Sequence, residues 1–139
     1  MNLNKQFFLG GNATFTVQSG KTGKHYTFKI RQPKPEMPHF VSVMTGTDNE
    51  SHFSYMGKLN TYTGNVTLTE RSKVSFGDER LIVAEWALGK VWNNVPVVGG
   101  SSIKHAGKCG CCGRKLTEPL SLEIGIGPEC RKKLGMGTF

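Results

Sequence analysis

Every cysteine in the chain lies in one stretch, "CGCCGRKLTEPLSLEIGIGPEC", from Cys109 to Cys130. Cys109 and Cys112 are separated by two residues and followed by Gly113, the pattern of a zinc knuckle. Two intervening residues let both sulfurs reach one ion at Zn–S distances near ~2.3 Å. The glycine can take a left-handed conformation that frees backbone N–H groups to face sulfur. Cys130 follows "GIGPE", where Pro128 suits the first position of a helix "PECRKKLG" that ends at Gly135. A thiolate in that first turn would gain from the positive end of the helix dipole. His105 precedes Cys109 by four residues, close enough to bind the same ion. The expected site is therefore His105, Cys109, Cys112 and Cys130, a closed Cys3His tetrahedron around Zn2+. Cys111 adjoins Cys112, is hard to place on the same tetrahedral ion, and is set aside as a bystander.

The elements that must carry this cluster follow from periodicity. "ATFTVQ", "HYTFKIR", "HFVSVM", "HFSYMGKL" and "NVTLT" alternate apolar and polar residues and are rich in β-branched and aromatic types. Gly, Asn and Thr turns separate them, among them "SGKTGK" and "TGTDNE", so an antiparallel meander of about five strands is expected. "GDERLIVAEWALGKVW" predicts one helix near 79–92, capped by Asp78. Leu81, Ala84, Leu88 and Val91 recur at helical spacing, as do Ile82 and Trp86, an apolar arc suited to pack on the sheet. "NNVPVVGGSS" reads as a linker. The expected class is α+β: a β-rich body with one packed helix over 1–98, then a small zinc-ribbon or treble-clef-like module over 102–139. Leu116, Leu120, Leu122 and Ile126 would form that module's core, with a hairpin between knuckle and helix.

Composition narrows the setting. The chain has 139 residues, 37% hydrophobic and 20% charged, which suits a folded domain rather than a disordered one. No apolar run nears the ~20 residues that cross a bilayer, and the N-terminus does not resemble a signal peptide. A cytoplasmic protein without a membrane partner is expected. In that compartment clustered thiols favour metal over disulfides. The formal net charge is +8, and the last 39 residues hold seven basic against three acidic residues. Such an excess suggests a polyanionic partner, nucleic acid first.

The cysteine stretch resembles the signature C-x-x-C-G-R-x-L-T-x-P-x-S-x-x-x-G-I-G-P-x-C of a family of small, uncharacterised phage and prophage proteins. It matches at Cys109, Cys112, Gly113, Arg114, Leu116, Thr117, Pro119, Ser121, Gly125, Ile126, Gly127, Pro128 and Cys130. The resemblance covers about the last 30 residues. It implies zinc binding and a phage or prophage origin, and no reaction.

Four protein ligands leave no position for water, and no nucleophile, paired carboxylate or phosphate loop stands out. The expectation is a non-enzyme without a small-molecule substrate. Arg114, Lys115, Arg131, Lys132 and Lys133 are not needed for the module's core and are the candidates for phosphate contact. Lys29 and Arg31, with His25, share the polar face of one strand and can add to it. Tyr55 or Tyr62 can stack on bases. The alternative is an inhibitor or adaptor that binds a host enzyme or defence complex through a protein interface.

Overall fold

A computed structural model describes residues 3–45 and 52–135. The alternating segments form six antiparallel strands: β1 (Asn12–Gln18), β2 (His25–Arg31), β3 (Phe40–Met44), β4 (Phe53–Leu59), β5 (Val66–Thr67) and β6 (Ser102–His105). Their order across the sheet is β5-β4-β3-β2-β1-β6. The first five make the expected meander. The sixth pairs with β1, placing His105 opposite Phe15 and Ser102 opposite Gln18. The protein is α+β, as its periodicity indicates. The segment read as the start of a separate module is thus an edge strand of the sheet, because β1 offers an unpaired edge that "SIKH" can satisfy. The turn "TGTDNE" between β3 and β4 lies largely outside the described residues.

Strand alternation sorts the side chains cleanly. Ala13, Phe15, Val17, Phe28, Ile30, Val41 and Val43 point into the core, each almost fully buried. Thr14, Thr16, Lys29 and Ser42 take the opposite, outer face. In β4 the register shifts opposite Val41 and Ser42, with Tyr55 facing Ser42 and Gly57 facing Val41. Met56 is the extra residue of this bulge, so Met56 and Leu59 turn inward while Tyr55 stays on the outer face. Plain alternation along "HFSYMGKL" does not give that switch, which sets Phe53 and Tyr55 on the face opposite Leu59.

Helix α2 (Glu79–Trp92) lies where its periodicity places it. Asp78 caps it, its carboxylate accepting from Arg80 N–H at 2.9 Å. Leu81, Ala84, Ala87, Leu88 and Trp92 are buried, and Val91 packs against the core. Ile82 and Trp86 instead remain 57% and 40% exposed. A short N-terminal helix α1 (Lys5–Phe8) inserts Phe7 and Phe8 into the core, where Phe8 packs edge-on to Phe7 and Phe15 at centroid distances of 5.0 and 4.9 Å.

The cysteine region contains no β-hairpin. An isolated bridge between Lys108 and Lys115 closes the knuckle, and helices α3 (Pro119–Ile124) and α4 (Pro128–Lys133) follow. Gly125 ends α3 in the left-handed conformation, φ 77°. Leu116 and Ile126 are buried as expected, whereas Leu120 and Leu122 are exposed. Cys109, Leu116, Ile126 and Cys130 belong to the same hydrophobic cluster as Phe7 and the sheet. Knuckle and body therefore share one core, and the division at 98–102 does not interrupt it.

Candidate metal centre

The knuckle is shaped by its own backbone. Cys109 N–H donates to Arg114 C=O at 2.8 Å, and Gly113 N–H returns to Cys109 C=O at 2.9 Å. Gly113 has φ 77°, the left-handed geometry expected of it. This turn aims amide groups at sulfur. Cys109 Sγ, fully buried, accepts from Cys111 N–H at 3.4 Å and from Gly127 N–H at 3.3 Å. Burial pushes the Cys109 thiol up, but the amides of Gly127, Cys112 and Cys111 outweigh it and draw it down to about 7. Such surroundings shift the thiol toward the thiolate, the form that binds metal.

The other thiols converge on it. Sγ atoms of Cys109, Cys111 and Cys130 all lie within 4.8 Å of one another. Sulfurs around a tetrahedral ion with Zn–S bonds of ~2.3 Å stand about 3.8 Å apart, so this trio needs only a small contraction to hold a metal ion. Cys112 also interacts with Cys109 and Cys130, and these three line a cavity of about 200 Å³ at the surface. Cys111 approaches from the protein side, beside Gly10. Burial, then the neighbouring Cys109, raises the Cys111 thiol to about 11. Burial, then hydrogen bonds with Cys112 and Cys109, raises Cys130 to about 12. The helix-dipole stabilisation expected for Cys130 is outweighed, and Cys109 is the thiol whose surroundings most favour the thiolate.

His105 is not brought to the thiols. Its Nδ1 accepts from Gly107 N–H at 2.8 Å, and its Nε2 meets Leu122 C=O at 2.7 Å. A carbonyl only accepts, so Nε2 carries the proton and both ring nitrogens are committed. The expected Cys3His set is corrected on this point: the ring fastens the turn after β6 to α3, while Cys111, set aside on sequence, stands inside the cluster.

The body supports the knuckle directly. Asn12 N–H donates to Gly110 C=O at 2.8 Å, and Asn12 Nδ2 to Cys111 C=O at 2.6 Å. Phe7 fills the space between Gly110 and Gly125. A methyl group on Gly110 would lie 2.6 Å from the Phe7 carbonyl oxygen, and one on Gly125 would lie 2.5 Å from the Phe7 ring. Sequence reasoning missed these contacts, although a glycine between the first two cysteines was a signal of close approach.

The candidate phosphate contacts divide. Arg131 is 5% exposed and donates to Ser121 Oγ at 2.8 Å, to Ile126 C=O at 2.9 Å and to the Glu118 carboxylate. It is a structural tie between α3 and α4, which corrects its assignment to nucleic-acid contact. Ser121 is spent on the same network rather than on local backbone. Arg114 is exposed and pairs loosely with Glu129 at 3.8 Å. Lys115, Lys132 and Lys133 are exposed. Lys29 and Arg31 stand on the outer face of β2, with Lys29 Nζ 4.3 Å from the centroid of the Phe53 ring. Tyr62 sits 92% exposed in the turn before β5.

Fold and site together define an α+β protein with a cysteine cluster fastened to the edge of an antiparallel sheet. A protein-family model described as "Family of unknown function (DUF6011)" matches residues 101–135, the span of β6, knuckle, α3 and α4. No curated protein and no solved structure matches the chain. Among the described residues no helix is long and apolar enough to cross a membrane.

Proposed function

We propose that this is a nucleic-acid-binding accessory protein, of the phage type its cysteine motif resembles, whose four thiolates hold a structural zinc ion. All-sulfur tetrahedral sites suit zinc, and four protein ligands leave the ion no catalytic position. With His105 committed elsewhere, Cys111 supplies the fourth ligand beside Cys109, Cys112 and Cys130.

The observation that carries the nucleic-acid reading is the outer face of the sheet. None of the six strands contains an acidic residue. Arg31, Phe40 and Lys58 follow one another across β2, β3 and β4, and Thr14, Lys29, Ser42 and Tyr55 form the neighbouring row. Lys104 adds a cation opposite Thr16 on β6. Cations interleaved with aromatic rings on one sheet face are the arrangement that grips phosphates while rings contact bases. The exposed Lys115, Lys132 and Lys133 extend the basic surface around the metal centre.

The test is binding to short single- and double-stranded DNA and RNA across a salt series, with zinc-loaded protein. The reading predicts affinity that falls steeply with salt and weakens in a Lys29→Gln/Arg31→Gln variant. Absence of binding at physiological salt refutes it. The exposed pair Ile82 and Trp86, one helical turn apart on α2, favours a host-protein interface as the second reading. Binding there would survive high salt.

A further inference from the structure

We infer that a groove on the outer face of β3 and β4 is the base-contacting site and that it takes an unstacked nucleobase from single-stranded nucleic acid. The inference rests on the nucleic-acid reading above and gives it a location and a substrate class.

The bulge at Met56 builds the groove. By shifting register it keeps Phe40 and Tyr55 together on the outer face, with ring centroids 6.1 Å apart and planes at 64°. The chain after β5 then folds back along β4. Lys73 N–H donates to Tyr55 C=O at 2.8 Å, Thr69 Oγ1 reaches the Tyr55 hydroxyl at 3.4 Å, and Ser72 Oγ accepts from Thr69 N–H at 2.8 Å. The space between this loop and the strands is about 890 Å³, within the ~300–1,000 Å³ of ligand-binding clefts.

Its chemistry is that of a nucleotide site. Both rings are only half-buried, although the inward side of the sheet is packed. Lys58, Arg71 and Lys73 stand around them with a single acid, Glu70. Among the described residues no ion pair engages these three cations. A phosphodiester supplies the missing negative charge and an adjoining base supplies the flat apolar face. A duplex hides its base faces in the stack, so only a single strand satisfies both halves of the groove.

The experiment compares zinc-loaded wild-type protein with Phe40→Leu, Tyr55→Leu and Arg71→Gln/Lys73→Gln variants on dT and U oligonucleotides and on a mixed-sequence duplex. Single strands are expected to bind more tightly than duplex. Each ring substitution should weaken single-strand binding about tenfold, as loss of one stacked base does. The charge variant leaves the rings in place and keeps the test valid if a ring variant misfolds. Its slope of log K against log salt should fall by about 1.4, or ~0.7 per lost phosphate contact. Equal binding of single strand and duplex, with all variants matching wild type, overturns the groove and leaves the broader reading standing. Absence of binding to any of these probes overturns both.

Discussion

Replacing Arg131 by Met separates structure from surface chemistry within the run Arg131-Lys132-Lys133. Methionine preserves the apolar stem and removes every donor. The Ile126 carbonyl would then be left without a partner inside the protein, while Ser121 Oγ would lose its guanidinium donor and keep its hydrogen bond to the Glu118 carboxylate. A buried polar group left without a partner costs about 1–3 kcal/mol, and a lost hydrogen bond to a charged group about 1.5–3 kcal/mol. Arg131 Nε is itself buried without a partner, so its removal returns part of that cost. A net loss of about 2–4 kcal/mol remains, a large share of the ~5–15 kcal/mol that holds a domain folded. Thermal unfolding followed by circular dichroism, at saturating zinc for every variant, measures it, because bound metal itself raises the midpoint. The expected fall is about 10 °C for Arg131→Met. Lys132→Gln and Lys133→Gln should each stay within about 0.5 kcal/mol of wild type. Equal stability of Arg131→Met and wild type, with nucleic-acid affinity reduced as in the lysine variants, would refute the buried-tie account.

The ligand assignment predicts that Cys111→Ser lowers zinc affinity, whereas His105→Ala destabilises the turn before the knuckle yet keeps one zinc per chain. A competition titration against a chromogenic chelator distinguishes the two. Gly110→Ala should cost about 1–3 kcal/mol in denaturant unfolding, because its methyl group meets the Phe7 carbonyl and ring. The Arg80 hydrogen bond holds the Asp78 carboxyl below its ordinary value, and the Arg131 hydrogen bond does the same for Glu118. The stability these carboxylates contribute is present above their unfolded values near ~4 and is lost as pH falls through the lowered folded values. Asp78→Asn should therefore flatten the acid limb of a stability–pH profile.

What the sequence disclosed was local. Strict alternation in "HYTFKIR" and the Asp78 cap of α2 declare themselves within a few residues, and the structure has both. The knuckle turn was legible for the same reason: Gly113 and the Cys109–Cys112 spacing act within one loop. Partners distant in sequence were not legible. "SIKH" is too short to announce a strand and becomes one because β1 has an edge to fill. Nothing near Met56 signals that its bulge turns Leu59 away from Tyr55. His105 has the right spacing to Cys109, but its ring orientation is set by Leu122, 17 residues further on. Arg131, in a basic run, looks like surface until Glu118 and Ser121 are seen to enclose it.

The account depends most on the four sulfurs holding a metal together. The most direct measurement is Co2+ titration of the zinc-depleted protein, followed by visible and near-ultraviolet absorption. It should show one ion per chain, the intense visible bands of tetrahedral cobalt and sulfur-to-cobalt charge transfer of four-thiolate strength, reversed by zinc. No uptake, or a spectrum with weak octahedral bands and little charge transfer, would contradict it.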